Sequence, residues 1–155
     1  MNLELRPVTA DDLPRLFEQQ RDREAHHMAA FTHRDPDDRD GYIGWWRRIL
    51  AKPEVRARAI EIDGALTGSI LCWPDAHGVE VSYWLGRPYW GRGIATAGLR
   101  AFVAELGRPV FARAASDNHG SVRVLQKCGF VEIGREMGFA GARGAEIEET
   151  VFRLG

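Results

Sequence analysis

The sequence predicts one α/β domain, a sheet of seven strands flanked by four helices. Three observations carry this reading. Val79 to Val103, VEVSYWLGRPYWGRGIATAGLRAFV, reads as strand, glycine loop and helix. An alternating aromatic run ends at Leu85, a Gly/Pro-rich turn crosses Gly86 to Arg92, and apolar residues recur at helical spacing through Leu106. Before it, two strand-like runs joined by turn signals form an antiparallel meander with its opening strand. The length of 155 residues, with ordinary apolar and charged fractions, suits one core and leaves no room for a second enzyme domain.

Taken in order, Leu3 and Leu5, followed by Pro7, alternate against polar neighbours as an edge strand. Thr9 with Asp11 and Asp12 offers a helix start, and Leu13, Leu16 and Phe17 supply the apolar stripe of a helix running to His26 and His27. Asp22, Arg23, Glu24, His26 and His27 read as its solvated face rather than a catalytic cluster. Asp38 or Asp40 caps a second helix containing Tyr42, Ile43, Trp45, Trp46, Ile49 and Leu50, and Pro53 ends it. Adjacent tryptophans cannot point the same way, so one of Trp45 and Trp46 faces the core and the other a pocket.

Val55 to Ile62 is the next strand, closed by the hairpin signal Asp63-Gly64. Leu66 to Trp73 follows, and Pro74, Asp75 and Gly78 turn the chain into Val79 to Leu85. On that strand Val79, Val81, Tyr83 and Leu85 share one face, and Glu80, Ser82 and Trp84 the other. Gly107 and Pro109 close the helix after the glycine loop, and Val110 to Ala115 form a strand. Asn118 caps a helix with Val122, Leu125 and Cys128 spaced for burial; Gly129 ends it and Phe130 returns to the core. Val131 to Phe139 and Glu148 to Leu154 close as a hairpin around GARGAE.

A formal net charge of -1 gives no general attraction to nucleic acid or anionic lipid. Lys52 and Lys127 are the only lysines. The arginine excess suits bidentate contacts to carboxylate or phosphate, and equally reflects a compositional bias. Cys72 and Cys128 lack CxxC or histidine companion spacing, so buried reduced thiols are expected rather than a disulfide or metal site. His26, His27, His33, His77 and His119 show no ligand pattern, and no metal is expected. MNLELRPV lacks a basic segment followed by an apolar core, and no apolar run approaches about 18 residues, so a cytoplasmic location without a membrane partner is expected.

Gly91 and Gly93 permit backbone conformations that let consecutive N–H groups point at one anion at the helix start, with phosphate as the natural guest. Such a turn also serves tight packing alone. No Gly-Lys-Ser/Thr follows it, so it is not a P-loop, and the glycine spacing fits a dinucleotide fingerprint badly. WGRGIATAGLRAF (Trp90 to Phe102) resembles the acyl-CoA loop of the GNAT acyltransferases, Gln/Arg-x-x-Gly-x-Gly/Ala. Gly93 and Ala95 take the small positions, and Trp90 departs from the usual Gln or Arg, as is common in the branch that acetylates protein N-termini. NHGSVRVLQKCGF (Asn118 to Phe130) resembles the Asn-x-x-Ser segment of the same ribosomal-protein N-acetyltransferase branch, and the resemblance covers essentially the whole chain.

The resemblance implies the GNAT fold: a mixed central sheet with a splayed strand pair and flanking helices. It implies acetyl-CoA as acyl donor, held by Trp84, Leu85, Arg87, Gly91, Arg92, Gly93, Ile94, Ala95, Thr96, Asn118, Ser121, Arg123 and Lys127. It also implies an acceptor wall at Met28, Phe31, Trp45, Trp46, Trp73 and Tyr83, against which core packing stands as the alternative for each ring. A homodimer is compatible with it.

Direct acyl transfer is the expected chemistry. No Gly-x-Ser-x-Gly elbow occurs, and Cys128 lacks a histidine partner. An amine must attack in its neutral form while the leaving thiolate receives a proton. The family places a glutamate on the strand before the loop as base, acting directly or through water, and Glu80 matches; its alternative role is an ordinary Arg partner. Ser121 and Tyr83 are the candidate acids, with a local helical hydroxyl and a core or acceptor-wall ring as their alternatives. The expected acceptor is a protein or peptide α-amine. A small-molecule amine, including an antibiotic-like one, and a noncatalytic acyl-CoA sensor are the alternatives.

Overall fold

The computed structural model describes residues 1–155. Seven strands make one sheet in the order β1-β2-β3-β4-β5-β7-β6. In its first half β1 (Leu3–Pro7), β2 (Arg56–Ile62), β3 (Ala65–Asp75) and β4 (Gly78–Leu85) pair antiparallel in succession, so the expected three-stranded meander is β2 to β4 and the expected edge strand extends it. The β2–β3 turn places Asp63 at φ 50° and Gly64 at φ 82°, the two positive values that a two-residue hairpin requires. The second half is β5 (Val110–Ala115), β7 (Ala145–Leu154) and β6 (Val131–Ala140), also antiparallel.

The two halves meet at β4 and β5, which run parallel and pair only through Val79 with Val110 and Glu80 with Phe111. Past Glu80 the strands carry no further pairing, and a wedge opens in the sheet. This is the splayed pair that the sequence resemblance implied.

Helices cover both faces. α4 (Ile94–Val103) and α5 (His119–Lys127) bury Leu99, Phe102 and Leu125 against Ile60, Ile70, Val81 and Phe152. On the opposite face α1 (Leu13–Gln20) and α3 (Arg39–Leu50) bury Leu13, Leu16 and Trp46 against Ala59 and Leu71. Ile60 and Ile70 thus feed one core while their neighbours Ala59 and Leu71 feed the other, as the period of two along a strand dictates.

Three expectations need correction. The first helix does not run unbroken to the histidines. It stops at Gln20, and Asp22 accepts the Ala25 N–H at 2.9 Å to start a separate helix, α2 (Arg23–Ala29). The chain therefore has five α-helices. His26 is buried rather than solvated, with Nε2 on the His33 carbonyl. Finally, Pro74 and Asp75 continue β3 instead of turning, paired with Val79 and Gly78, so only Ala76 and His77 connect the strands. The missing N–H of proline is tolerated this close to a strand end.

Candidate active site

The glycine loop arrives at α4 as the spacing requires. Gly91 and Gly93 sit at φ 72° and 76°, and a Cβ at either would meet nothing within 4 Å, so conformation rather than crowding selects glycine there. Gly93 is the left-handed N-cap of α4 and offers no side chain to the helix start. The first helical bond runs from the Ala97 N–H to the Gly93 carbonyl at 3.0 Å. The N–H groups of Ile94, Ala95 and Thr96 consequently have no partner within the helix and lie at its positive dipole end. A pyrophosphate fits this uncapped cradle. Ile94 itself is buried and anchors the loop to the core.

The cations differ in availability. Arg87 is engaged by Asp22 and Glu24, at 2.7 Å and 2.9 Å from its Nη2, and lies 5.0 Å over the Trp90 ring. Trp90 in turn donates Nε1–H to the Leu85 carbonyl at 2.8 Å, which ties the loop to the end of β4. Arg92 stacks at 6.0 Å over Tyr89. Arg123 and Lys127 are exposed on α5.

Tyr83 and Ser121 come together at 2.9 Å between β4 and α5. Asn118 sets the latter in place, since its Oδ1 accepts the Ser121 N–H at 3.2 Å as the α5 cap. Burial pushes the Tyr83 hydroxyl up to about 12, against the opposing hydrogen bond from Ser121. Tyr83 is therefore a protonated donor near neutrality.

Trp84 and Tyr83 also line a cavity of about 470 Å³ beneath the α2–α3 loop. Phe31, Trp45, Trp46 and Trp73 from the expected acceptor wall line it as well, and Met28 does not. The reason lies at Ala30, whose φ of 63° turns the chain so that Phe31, not Met28, reaches the cavity. The β6–β7 turn holds that loop: Ala142 donates to the Ala30 carbonyl at 3.0 Å and Arg143 Nε to the His27 carbonyl at 3.0 Å. Of the adjacent tryptophans, Trp46 is 2% exposed and belongs to the core, while Trp45 is half-buried. The sequence reading did not assign His33, Tyr42 and Ser82 to the site, although all three line the same cavity.

Glu80 is not among the cavity-lining residues. Its carboxylate lies 3.3 Å from Arg113 Nε, and Arg113 Nη1 also holds Glu136 at 2.7 Å and Glu149 at 2.9 Å. Three carboxylates share one guanidinium, leaving a net negative patch beside the cavity. Glu80 is cross-strand partner to Trp73, which lines the cavity. Burial raises the Glu80 carboxyl above its usual range, with Arg113 opposing and Asp75 and Glu149 adding to the rise.

Cys72 and Cys128 are free thiols, the former buried and the latter half-buried. No group of three or more His, Cys, Asp and Glu side chains is placed to hold a metal ion. No helix is long and apolar enough to cross a membrane.

A helix start with unpaired N–H groups, next to a wedge leading to the Tyr83–Ser121 pair, accommodates a donor with a pyrophosphate and a slender thioester arm. That defines an acyl-CoA-dependent transferase. Residues 2–131 match the family model described as the acetyltransferase (GNAT) domain, and the chain belongs to that family. It is an acetyl-CoA-dependent acyltransferase, with an amine as acceptor. The fold is similar to that of a probable acetyltransferase (26% identity, 98% of this chain and 92% of that one covered, TM-score 0.82). It is also similar to spermidine N-acetyltransferase from Vibrio cholerae in complex with CoA and spermine (18%, 98% and 94%, TM-score 0.81). A third similar structure is RimL, the ribosomal L7/L12 alpha-N-protein acetyltransferase, in complex with coenzyme A (15%, 99% and 94%, TM-score 0.85). No curated protein matches the chain by sequence.

Proposed function

We propose that this enzyme transfers an acetyl group from acetyl-CoA to a primary amine by direct attack in a ternary complex, with a protein or peptide α-amine as preferred acceptor. The observation that carries the reading is the aromatic cavity of about 470 Å³ that shares Tyr83 with the Tyr83–Ser121 pair. It has room for an amine together with an apolar neighbouring group. The likeness of the glycine loop and the Asn118 segment to the branch that acetylates protein N-termini favours the α-amine. So does its chemistry, since an α-amine with a pKa of about 8 is more often neutral at pH 7 than a lysine amine.

Acetyl-CoA supplies the activated acyl carbon. The Ile94, Ala95 and Thr96 N–H groups hold its pyrophosphate, with Arg92, Arg123 and Lys127 near its phosphates, and Asn118 fixes the start of α5. Tyr83 and Ser121 give the departing thiolate its proton. Glu80, with Glu136 and Glu149, draws the acceptor's ammonium toward the cavity. This same negative patch favours a second reading, a small cationic amine such as a polyamine.

Acetyl-CoA consumption should be measured with matched panels of peptides bearing free N-termini, blocked peptides with internal lysines, polyamines, amino acids and aminoglycosides. Preferential turnover of the free N-termini is expected. Exclusive turnover of a small amine would reject the protein acceptor, and CoA binding without transfer to any amine would leave a sensor.

A further inference from the structure

We propose that His33 is the catalytic residue that takes the proton from the acceptor's ammonium group and delivers it to solvent. The assignment rests on the amine-transfer reading above and replaces Glu80 as base with a residue inside the cavity. His33 lines the same cavity as Ser82, Tyr83 and Trp84. It also lines a second, outer cavity of about 250 Å³ together with Arg34, Asp35, Asp38 and Arg48. The imidazole thus stands in the partition between the acceptor chamber and the surface, with Tyr42 and Trp45 as the other shared walls.

Packing, not hydrogen bonding, orients the ring. Tyr42 and Trp45 meet it edge-on, with centroids 5.7 Å and 5.6 Å away. The loop beneath is pinned because the His33 carbonyl is bonded by His26 Nε2. Neither imidazole nitrogen of His33 bonds to another protein group, so one is free to accept and the other to donate. Burial, and then His26, hold the imidazole below its ordinary pKa, while Asp38 opposes them. Arg34, Arg48 and Asp35 are the other charged groups that line the outer cavity with the ring. His33 is consequently neutral, and ready to accept, at neutral pH. Glu80 lies outside this lining with its charge shared by Arg113.

The proton count closes. His33 receives one proton from the ammonium, which frees the nitrogen lone pair to form the bond to the acyl carbon as the carbon–sulfur bond breaks. The Tyr83–Ser121 pair supplies a proton to the thiolate, and the second proton that leaves the nitrogen passes through water to restore that pair. The imidazolium then returns its proton to water through the outer cavity, where Asp35 and Asp38 stabilise the charge.

The test is the pH dependence of kcat/KM for wild type, His33→Asn and His33→Gln, using the most active amine of the panels. With His33 as base, the wild-type profile is level between the histidine pKa and the amine pKa. The variants must bind amine that is already neutral, so their kcat/KM falls below wild type by about tenfold for each pH unit between the assay pH and the amine pKa, and climbs about tenfold per pH unit across that interval. Unchanged CoA affinity by calorimetry identifies a folded variant, and imidazole added to His33→Ala should restore part of the rate. Variants with wild-type rate and profile would overturn the His33 assignment while leaving amine transfer intact. A wild type that acetylates no amine would overturn both.

Discussion

The Tyr83 hydroxyl and Ser121 Oγ lie 2.9 Å apart, although one is carried by the strand before the glycine loop and the other by the first turn of α5. This bond crosses from the meander to the helix beyond the wedge. In the mechanism we propose, the acid is the pair rather than either hydroxyl alone. Tyr83→Phe and Ser121→Ala should each lower kcat by about 10²-fold, and the double variant should lose little more, because residues acting as a unit are strongly non-additive. Losses that multiply in the double variant, measured where chemistry limits the rate, would separate the two roles.

Cofactor affinity should respond to charge at Gly93 in a way that isolates electrostatics from strain. Asn and Asp have nearly the same shape, and both tolerate the left-handed conformation better than other residues do. Gly93→Asn should therefore keep much of the CoA affinity. Gly93→Asp places a carboxylate beside the pyrophosphate and should weaken binding by at least about tenfold relative to Asn. Equal affinities by calorimetry would move the pyrophosphate away from α4.

Glu80→Gln separates attraction from proton transfer. Removing one of three carboxylates around Arg113 weakens the negative patch, so KM for a cationic acceptor should rise a few-fold and its salt dependence should shrink. The variant should retain kcat and its pH profile. A collapse of kcat with a new pH dependence would return the base role to Glu80.

The fold was legible because its signals are local. Asp63-Gly64, Asn118 and the alternation of Val79, Val81, Tyr83 and Leu85 each act within a few residues, and all three appear in the structure as read. The glycine cradle was legible from Gly91 and Gly93 at a helix start, and the wedge only through the family resemblance. What escaped depends on distant partners. Asp22 looks like one more charge on a helix surface until Arg87, far along the chain, is seen to bind it. Met28 and Phe31 are both apolar residues at the exit of α2, and only the positive φ at Ala30 decides which enters the cavity. His33 had no ligand pattern, and the partition it forms requires Tyr42, Trp45 and two cavities that no spacing encodes.

The Asp22–Arg87 pair makes a final prediction about pH and stability. Asp22 caps α2, and Arg87 belongs to the loop that leads into α4, so their bond ties the acceptor side of the molecule to the cofactor side. The hydrogen bond from Arg87 chiefly lowers the Asp22 carboxyl to about 2, with burial opposing it. A carboxyl depressed on folding stabilises the native state above its unfolded pKa and loses that contribution as pH falls through the folded value. Asn also caps helices well, so Asp22→Asn removes the charge while keeping the cap. Its Tm should lie below that of wild type at pH 7, and the gap should close as the pH falls from about 4 toward 2. A gap that is constant over that range would mean that the ion pair does not contribute and that the substitution acts through the cap alone.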